Sequence, residues 1–226
     1  MTTIAIIPAG GKGLRSGLTT PKQYLKVNEK EIIVYTLQTF QKNKLIDRII
    51  IAAEPEYFNL LIRLVKKYKL SKVKLIVEGG KTRQDSVYNA VLSSGADDDD
   101  LLVVHDAARA LLTDEVLTNA ITLAKKKGNA LVCIKAKDTL IRGKKTVEEY
   151  VNRDEVYYVQ TPQIFKYKEL HRALSKAQGE KFIGTDESML IKRTGKKVHI
   201  AEGSVFNFKI TTKEDVAMFK NLTFNK

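Results

Sequence analysis

Short apolar runs recur along the chain at 4–7, 48–53, 73–77, 101–104 and 130–134, mostly without polar alternation. Continuous apolar runs of strand length read as strands buried on both faces, and amphipathic stretches between them supply the crossovers of a largely parallel sheet. Helices are predicted at 31–42, 56–68, 83–94 and 114–127, the second with Phe58, Leu61, Leu64, Val65 and Tyr68 on one face. The fourth is punctuated at both ends: Thr113 is placed to cap it, Asp114 and Glu115 occupy its first turn, and Gly128 follows it. The pattern predicts a three-layer α/β/α sandwich with helices on both faces of a mostly parallel sheet, in a single domain over 1–226.

The rhythm breaks at about 135–156, where the charged segment around Gly143 reads as a hairpin outside the β-α alternation, a projecting β-arm. Beyond it a strand is expected at 156–159, helices at 167–176 and 186–194, a strand pair at 198–201 and 205–210, and a closing helix started by Thr212.

Composition narrows the function classes. The 226 residues carry a net charge of +13, which suggests a polyanion partner, yet the basic residues are scattered at predicted helix ends and turns and are not interleaved with aromatics. Small phosphorylated substrates are expected, with no nucleic-acid partner. No apolar stretch approaches the roughly 20 residues that span a bilayer, and no signal-peptide pattern opens the chain, so a cytoplasmic protein without a membrane partner is expected. The single cysteine, Cys133, lies in an apolar run and reads as a buried small hydrophobe.

The chemistry gathers where predicted strands end. The first strand runs into Pro8-Ala9-Gly10-Gly11-Lys12-Gly13-Leu14-Arg15, followed by Pro21-Lys22-Gln23. Glycines let backbone N–H groups approach a phosphate, and Lys12, Arg15 and Lys22 bring positive charge to the same place. The spacing matches neither the P-loop nor the dinucleotide fingerprint. The strand at 101–104 delivers His105-Asp106-Ala107-Ala108-Arg109. Asp106 suits a hard cation bridging phosphates, which needs only one or two carboxylates, or else caps the next turn. Gly79-Gly80 with Ser86 either offers donors to an anion or base or forms an ordinary capped helix start. Lys209, read on a strand between Phe208 and Ile210, faces either solvent or an anion.

Taken as an ordered set, these blocks, with Asp138-Thr139, Arg153, Gln160-Thr161-Pro162-Gln163, Thr185-Asp186 and Asn207-x-Lys209-Ile210-Thr211, resemble the 2-C-methyl-D-erythritol 4-phosphate cytidylyltransferases over nearly the whole chain. Ribitol 5-phosphate cytidylyltransferase is the close relative. The resemblance implies a Rossmann-like nucleotidyltransferase fold, CTP and a polyol phosphate as substrates, pyrophosphate release, Mg²⁺, a place in non-mevalonate isoprenoid biosynthesis, and a homodimer whose arms complete each other's sites. It further implies that Pro8, Ala9, Gly10, Gly11, Gly80, Ser86, Asp106 and Ala107 hold nucleotide, with Asp106 toward the metal. Arg15 and Lys22 would stabilise the transition state, and Arg109, Thr139, Arg153, Thr161, Thr185 and Lys209 would receive the acceptor. The resemblance has two departures. Ala110 stands where the family usually has proline, and no proline precedes Asp138-Thr139. A catalytically silent nucleotide-binding module is the alternative of a different class.

Overall fold

The computed structural model describes residues 1–11 and 20–224. In chain order the elements are β1 (Thr3–Pro8), β2 (Lys26–Val27), β3 (Lys30–Glu31), α1 (Ile32–Lys42), β4 (Arg48–Ala53), α2 (Phe58–Lys67), β5 (Val73–Glu78), α3 (Arg83–Leu92), β6 (Leu101–Val104), α4 (Asp114–Lys127), β7 (Asn129–Lys135), β8 (Leu140–Gly143), β9 (Val147–Val151), β10 (Tyr157–Lys166), α5 (Tyr167–Gly179), α6 (Glu187–Arg193), β11 (Ile200–Glu202) and α7 (Lys213–Thr223).

A seven-stranded sheet in the order β11-β7-β10-β6-β1-β4-β5 forms the middle layer. Only β10 runs against the others: it pairs antiparallel with β6 and β7, while β1–β4, β1–β6, β4–β5 and β7–β11 are parallel. Strand alternation divides the core in two. On one face Ala5, Ile7, Ile49, Ile51 and Val103 pack with Leu37 and Phe40 of α1, Leu61 and Leu64 of α2, and Leu117 and Ile121 of α4. On the other, Ile4, Ile6, Ile50, Leu102 and Val104 meet Val87 of α3, Leu170 and Leu174 of α5, and Ile191 of α6. The absence of polar alternation in these runs is thereby explained, since both faces of the inner strands are covered. β5 departs from it: as the edge strand, it exposes Leu75. Helix α4 starts at Thr113, whose side chain accepts from Val116 N–H, and ends at Gly128 with a φ of 91°.

Three expectations are corrected. The strand placed at 156–159 runs on to Lys166 and crosses the sheet centre, so Gln160-Thr161-Pro162-Gln163 is strand and not loop. A proline in a central strand argues against strand assignment from sequence; here a register shift between Val159 and Gln163 accommodates it. The pair at 198–201 and 205–210 does not form: β11 pairs with β7, and the second segment is irregular, tied down by Gly203 N–H to Cys133 O (2.8 Å) and Ile210 N–H to Ala108 O (2.9 Å). Lys209 therefore sits on a loop.

The arm is a hairpin with its own two-stranded sheet, β8 against β9, and most of its side chains are exposed. Its turn requires a glycine, because a Cβ at Gly143 would run into the Thr146 carbonyl oxygen.

Candidate active site

Two adjoining cavities lie beyond the carboxyl ends of β1 and β6, the place where open parallel sheets bind ligands. The larger, of about 750 Å³, is lined by Pro8, Ala9, Gly10 and Gly11 after β1, by Lys22, by Gly80 and Ser86 around the start of α3, and by Asp106 and Ala107 after β6. Glu54, Glu78 and Lys81 also line it. The smaller, of about 240 Å³, is lined by Arg109, Thr161, Thr185 and Asp186 among others. Arg83, Asp106 and Lys209 line both and form the partition between them.

Asp106 is the hub of that partition. Its Oδ1 accepts from Arg83 Nε at 2.8 Å, its Oδ2 lies 2.9 Å from Lys209 Nζ, and Arg109 Nε stands 3.6 Å from the same oxygen. Burial alone would raise its pKa, but Arg83 and Lys209 outweigh that and hold the carboxyl far below the usual carboxylate range. Arg83 is in turn shared with Glu187, its NH1 at 2.6 Å and NH2 at 3.1 Å from the two carboxylate oxygens. Burial would lower the guanidinium pKa, and the two carboxylates instead raise it. The smaller cavity thus has three cations, Arg83, Arg109 and Lys209, against Asp106 and Asp186 on its walls. That balance suits an anion.

The turn carrying Asp106 is fixed by a buried polar chain. The Asp106 N–H donates to Thr161 Oγ1 (3.1 Å), Thr161 Oγ1 is 3.0 Å from His105 Nδ1, and His105 Nε2 is 3.1 Å from the Arg109 carbonyl. A carbonyl only accepts, so Nε2 carries the ring proton and Nδ1 accepts the threonine hydroxyl. Burial lowers the His105 pKa to about 4, which keeps the imidazole in this neutral form. Thr36 Oγ1 to Ala107 O (3.0 Å) and the packing of Ala110 with Ile210 and Phe219 complete the turn, which is thus held without the proline.

The start of α3 is the capped helix start that its sequence allowed. Thr82 and Asp85 form a capping box, and the Ser86 hydroxyl is engaged internally, accepting from Gly80 N–H (3.0 Å) and donating to Thr82 O (3.0 Å). The segment nevertheless lines the larger cavity, where Gly80 is obligatory because a Cβ there would collide with Asp85 Cβ.

Thr139 and Arg153 are not brought to either cavity. Both are exposed on the arm, where Arg153 NH1 donates to Lys137 O at 3.0 Å. Arg15 falls at 12–19, outside the described residues. Residues that the sequence did not single out are Gln23, whose buried amide donates to Ala9 O (2.6 Å) and Gly11 O (3.0 Å), and the Arg83–Glu187 pair. Gln23 lay in a quoted block, but the separation of Glu187 from Arg83 by 104 residues leaves no local signal.

Asp106 is ionised and keeps lone pairs beyond those taken by Arg83 and Lys209, which fits a single-carboxylate contact to a hard cation whose other ligands are phosphate and water. No group of three or more His, Cys, Asp or Glu able to hold a metal exists among the described residues, so a metal caged by protein ligands does not fit there. No described helix is long and apolar enough to cross a membrane.

Comparison with known proteins decides the family. The family model described as IspD, 2-C-methyl-D-erythritol 4-phosphate cytidylyltransferase, matches residues 3–222. The chain belongs to this family. It is 40% identical over 212 residues to the Bacillus cereus protein named 2-C-methyl-D-erythritol 4-phosphate cytidylyltransferase, covering 93% of each chain. The Clostridium perfringens protein of that name is 39% identical over 222 residues, covering 95% of this chain and 96% of its own. Among solved structures, the Francisella tularensis enzyme superposes with a TM-score of 0.82 at 30% identity, covering 97% of this chain and 100% of that one. The 4-diphosphocytidyl-2C-methyl-D-erythritol synthase of Anaerococcus prevotii gives 0.85 at 29%, covering 100% and 96%. Membership makes the chain a nucleotidyltransferase of the non-mevalonate isoprenoid route and sets aside the silent module.

Proposed function

We propose that the larger cavity binds CTP, the smaller one binds 2-C-methyl-D-erythritol 4-phosphate, and the cytidylyl group passes between them across the partition formed by Arg83, Asp106 and Lys209. That shared wall carries the reading, because in-line transfer needs two anions brought end to end without mutual repulsion. An oxygen of the acceptor phosphate attacks the α-phosphorus of CTP; the bond from that phosphorus to the bridging oxygen of the β-phosphate breaks, and pyrophosphate leaves. The acceptor phosphate is already ionised near neutrality, so no general base is needed, and His105, neutral and committed to Thr161 and Arg109, is not one.

Backbone from Pro8 to Gly11, with Gly80 and Ala107, receives the nucleotide, and Lys22 with Arg15 spreads the developing charge. Ser86 acts by fixing the Gly80 N–H that it accepts from. Lys209 and Arg109 receive the acceptor phosphate, with Thr161 and Thr185 on the same cavity wall. Asp106 would hold Mg²⁺ together with the nucleotide's phosphates, and the ion would supply charge neutralisation there.

The working unit we propose is a homodimer in which Thr139 and Arg153 of one arm enter the other subunit's acceptor cavity. Support comes from their exposure and from the exposed Ile141, Val147 and Tyr150 on the same hairpin. We place it in the cytoplasm, where CTP is supplied, with neither nucleic acid nor membrane as partner.

Pyrophosphate release measured with CTP and, in turn, methylerythritol phosphate and ribitol 5-phosphate tests the assignment. Turnover with the first acceptor and little with the second is expected; the reverse preference would transfer the chain to the ribitol reading. UTP should be a poor donor, since a site fitted to one base edge rejects analogues that leave its polar groups unpaired.

A further inference from the structure

We infer that Glu187 is a positioning residue for the transfer reaction, acting through Arg83 as a rigid strut between the nucleotide and acceptor halves of the site. Glu187 lines neither cavity and is 1% exposed, at the first position of α6. Arg83 opens α3 and lines both cavities. Its guanidinium is spent on two carboxylates: NH1 and NH2 engage Glu187, which leaves Nε directed at Asp106 Oδ1. A planar fork held at one edge cannot swing toward a phosphate, so Arg83 stays a fixed counter-ion and not a ligand. The other oxygen of Asp106 is thereby left to Lys209 at 2.9 Å, with Arg109 Nε farther off at 3.6 Å; the Lys209 side chain is 37% exposed and has Asp106 as its one ion-pair partner among the described residues. Lys209 is then the cation of the partition that can turn to an incoming acceptor phosphate.

The next residue strengthens the strut. The Gln84 amide donates to Phe182 O (3.0 Å) and accepts from Gly184 N–H (2.9 Å), so two successive side chains of α3 grip the first residue of α6 and the loop that leads into it. That loop carries Thr185 and Asp186 to the acceptor cavity. The consequence is that the acceptor wall is located by reference to the helix that forms the nucleotide wall.

The inference rests on the transfer reaction proposed above, and its test separates the two. Steady-state kinetics with CTP and the polyol phosphate varied separately, joined to urea unfolding, would be run on wild type, Glu187→Gln, Arg83→Gln and the double variant. Glu187→Gln should lower kcat/KM for the acceptor on the order of 10- to 100-fold while leaving the KM for CTP within about twofold, because the loss falls on alignment and not on nucleotide binding. Arg83→Gln leaves Glu187 buried and unpaired, so the double variant should be the more stable of the two yet remain as impaired toward the acceptor. Should Glu187→Gln fail to fold, the double variant, which buries no unpaired charge at this pair, carries the same kinetic comparison. Acceptor kinetics unchanged in Glu187→Gln, or defects in the double variant that multiply as if independent, would overturn the strut. A wild type without pyrophosphate release on any polyol phosphate would instead overturn the reaction, while unfolding of the same four proteins would still read the pair.

Discussion

The floor of the site and the arm are built by opposite means. At the floor, Asp106 and Glu187 are buried and paired with Arg83 and Lys209, and the 105–109 turn is held by a hydrogen-bonded chain through Thr161. On the arm, Thr139 and Arg153 are exposed, Arg153 bonds only a local carbonyl, and the hairpin packs on itself through its own ladder. In the floor, then, the proposed function and stability rest on one network, whereas the part proposed for the arm would come at small cost to the fold of its own subunit. Substitutions should separate the two regions.

The largest effect is expected for Asp106→Asn. The amide keeps the shape but leaves Arg83 and Lys209 without their shared charge, so kcat should fall on the order of 100-fold or more, and stability by about 3 kcal/mol. Kinetics at saturating substrates and urea unfolding of the same preparation check both, and a variant losing activity with full stability would sever the link proposed for the floor.

A smaller effect comes from pH. His105 has its folded pKa lowered to about 4 by burial, below the ordinary value of 6.5. Above 6.5 both folded and unfolded forms are neutral and nothing is lost; as pH falls from 6.5 toward 4 the unfolded chain takes a proton that the folded one refuses, and stability declines. Between about pH 7 and pH 5 this amounts to about 2 kcal/mol. Urea unfolding of wild type and His105→Gln at the two pH values should show the decline in the first and its loss in the second.

Arg153→Ala is the smallest in stability. As an exposed residue it should change unfolding by no more than about 0.5 kcal/mol, yet raise the acceptor KM roughly 10-fold. A normal acceptor KM would remove the arm from the site.

The same contrast explains what the chain reveals before folding. Helix α4 was readable because its signals are local: Thr113, Asp114 and Glu115, Gly128. Strands β1, β4 and β6 were readable because both of their faces are buried. The continuation of β10 beyond Val159 was not, since Pro162 reads as a break and only pairing with β6 and β7 makes this stretch a strand. Lys209 was assigned to a strand that the 203–212 segment does not form; its true setting depends on Asp106, distant in sequence. Candidate residues were found through blocks, but the Arg83–Glu187 pairing exists only in three dimensions. The arm was legible as a hairpin from its charged turn around Gly143.

Subunit mixing tests the division between floor and arm most directly. Lys209→Ala damages the floor's acceptor cation and Arg153→Ala damages the arm, so each homodimer should be impaired. If the arm of one subunit completes the site of the other, a mixed dimer holds one site with both residues intact, and unfolding and refolding the two variants together should restore up to about a quarter of wild-type activity. The same restoration must be absent when either variant is refolded alone. Activity of the mixture no greater than the average of the two parents would contradict an arm shared between subunits.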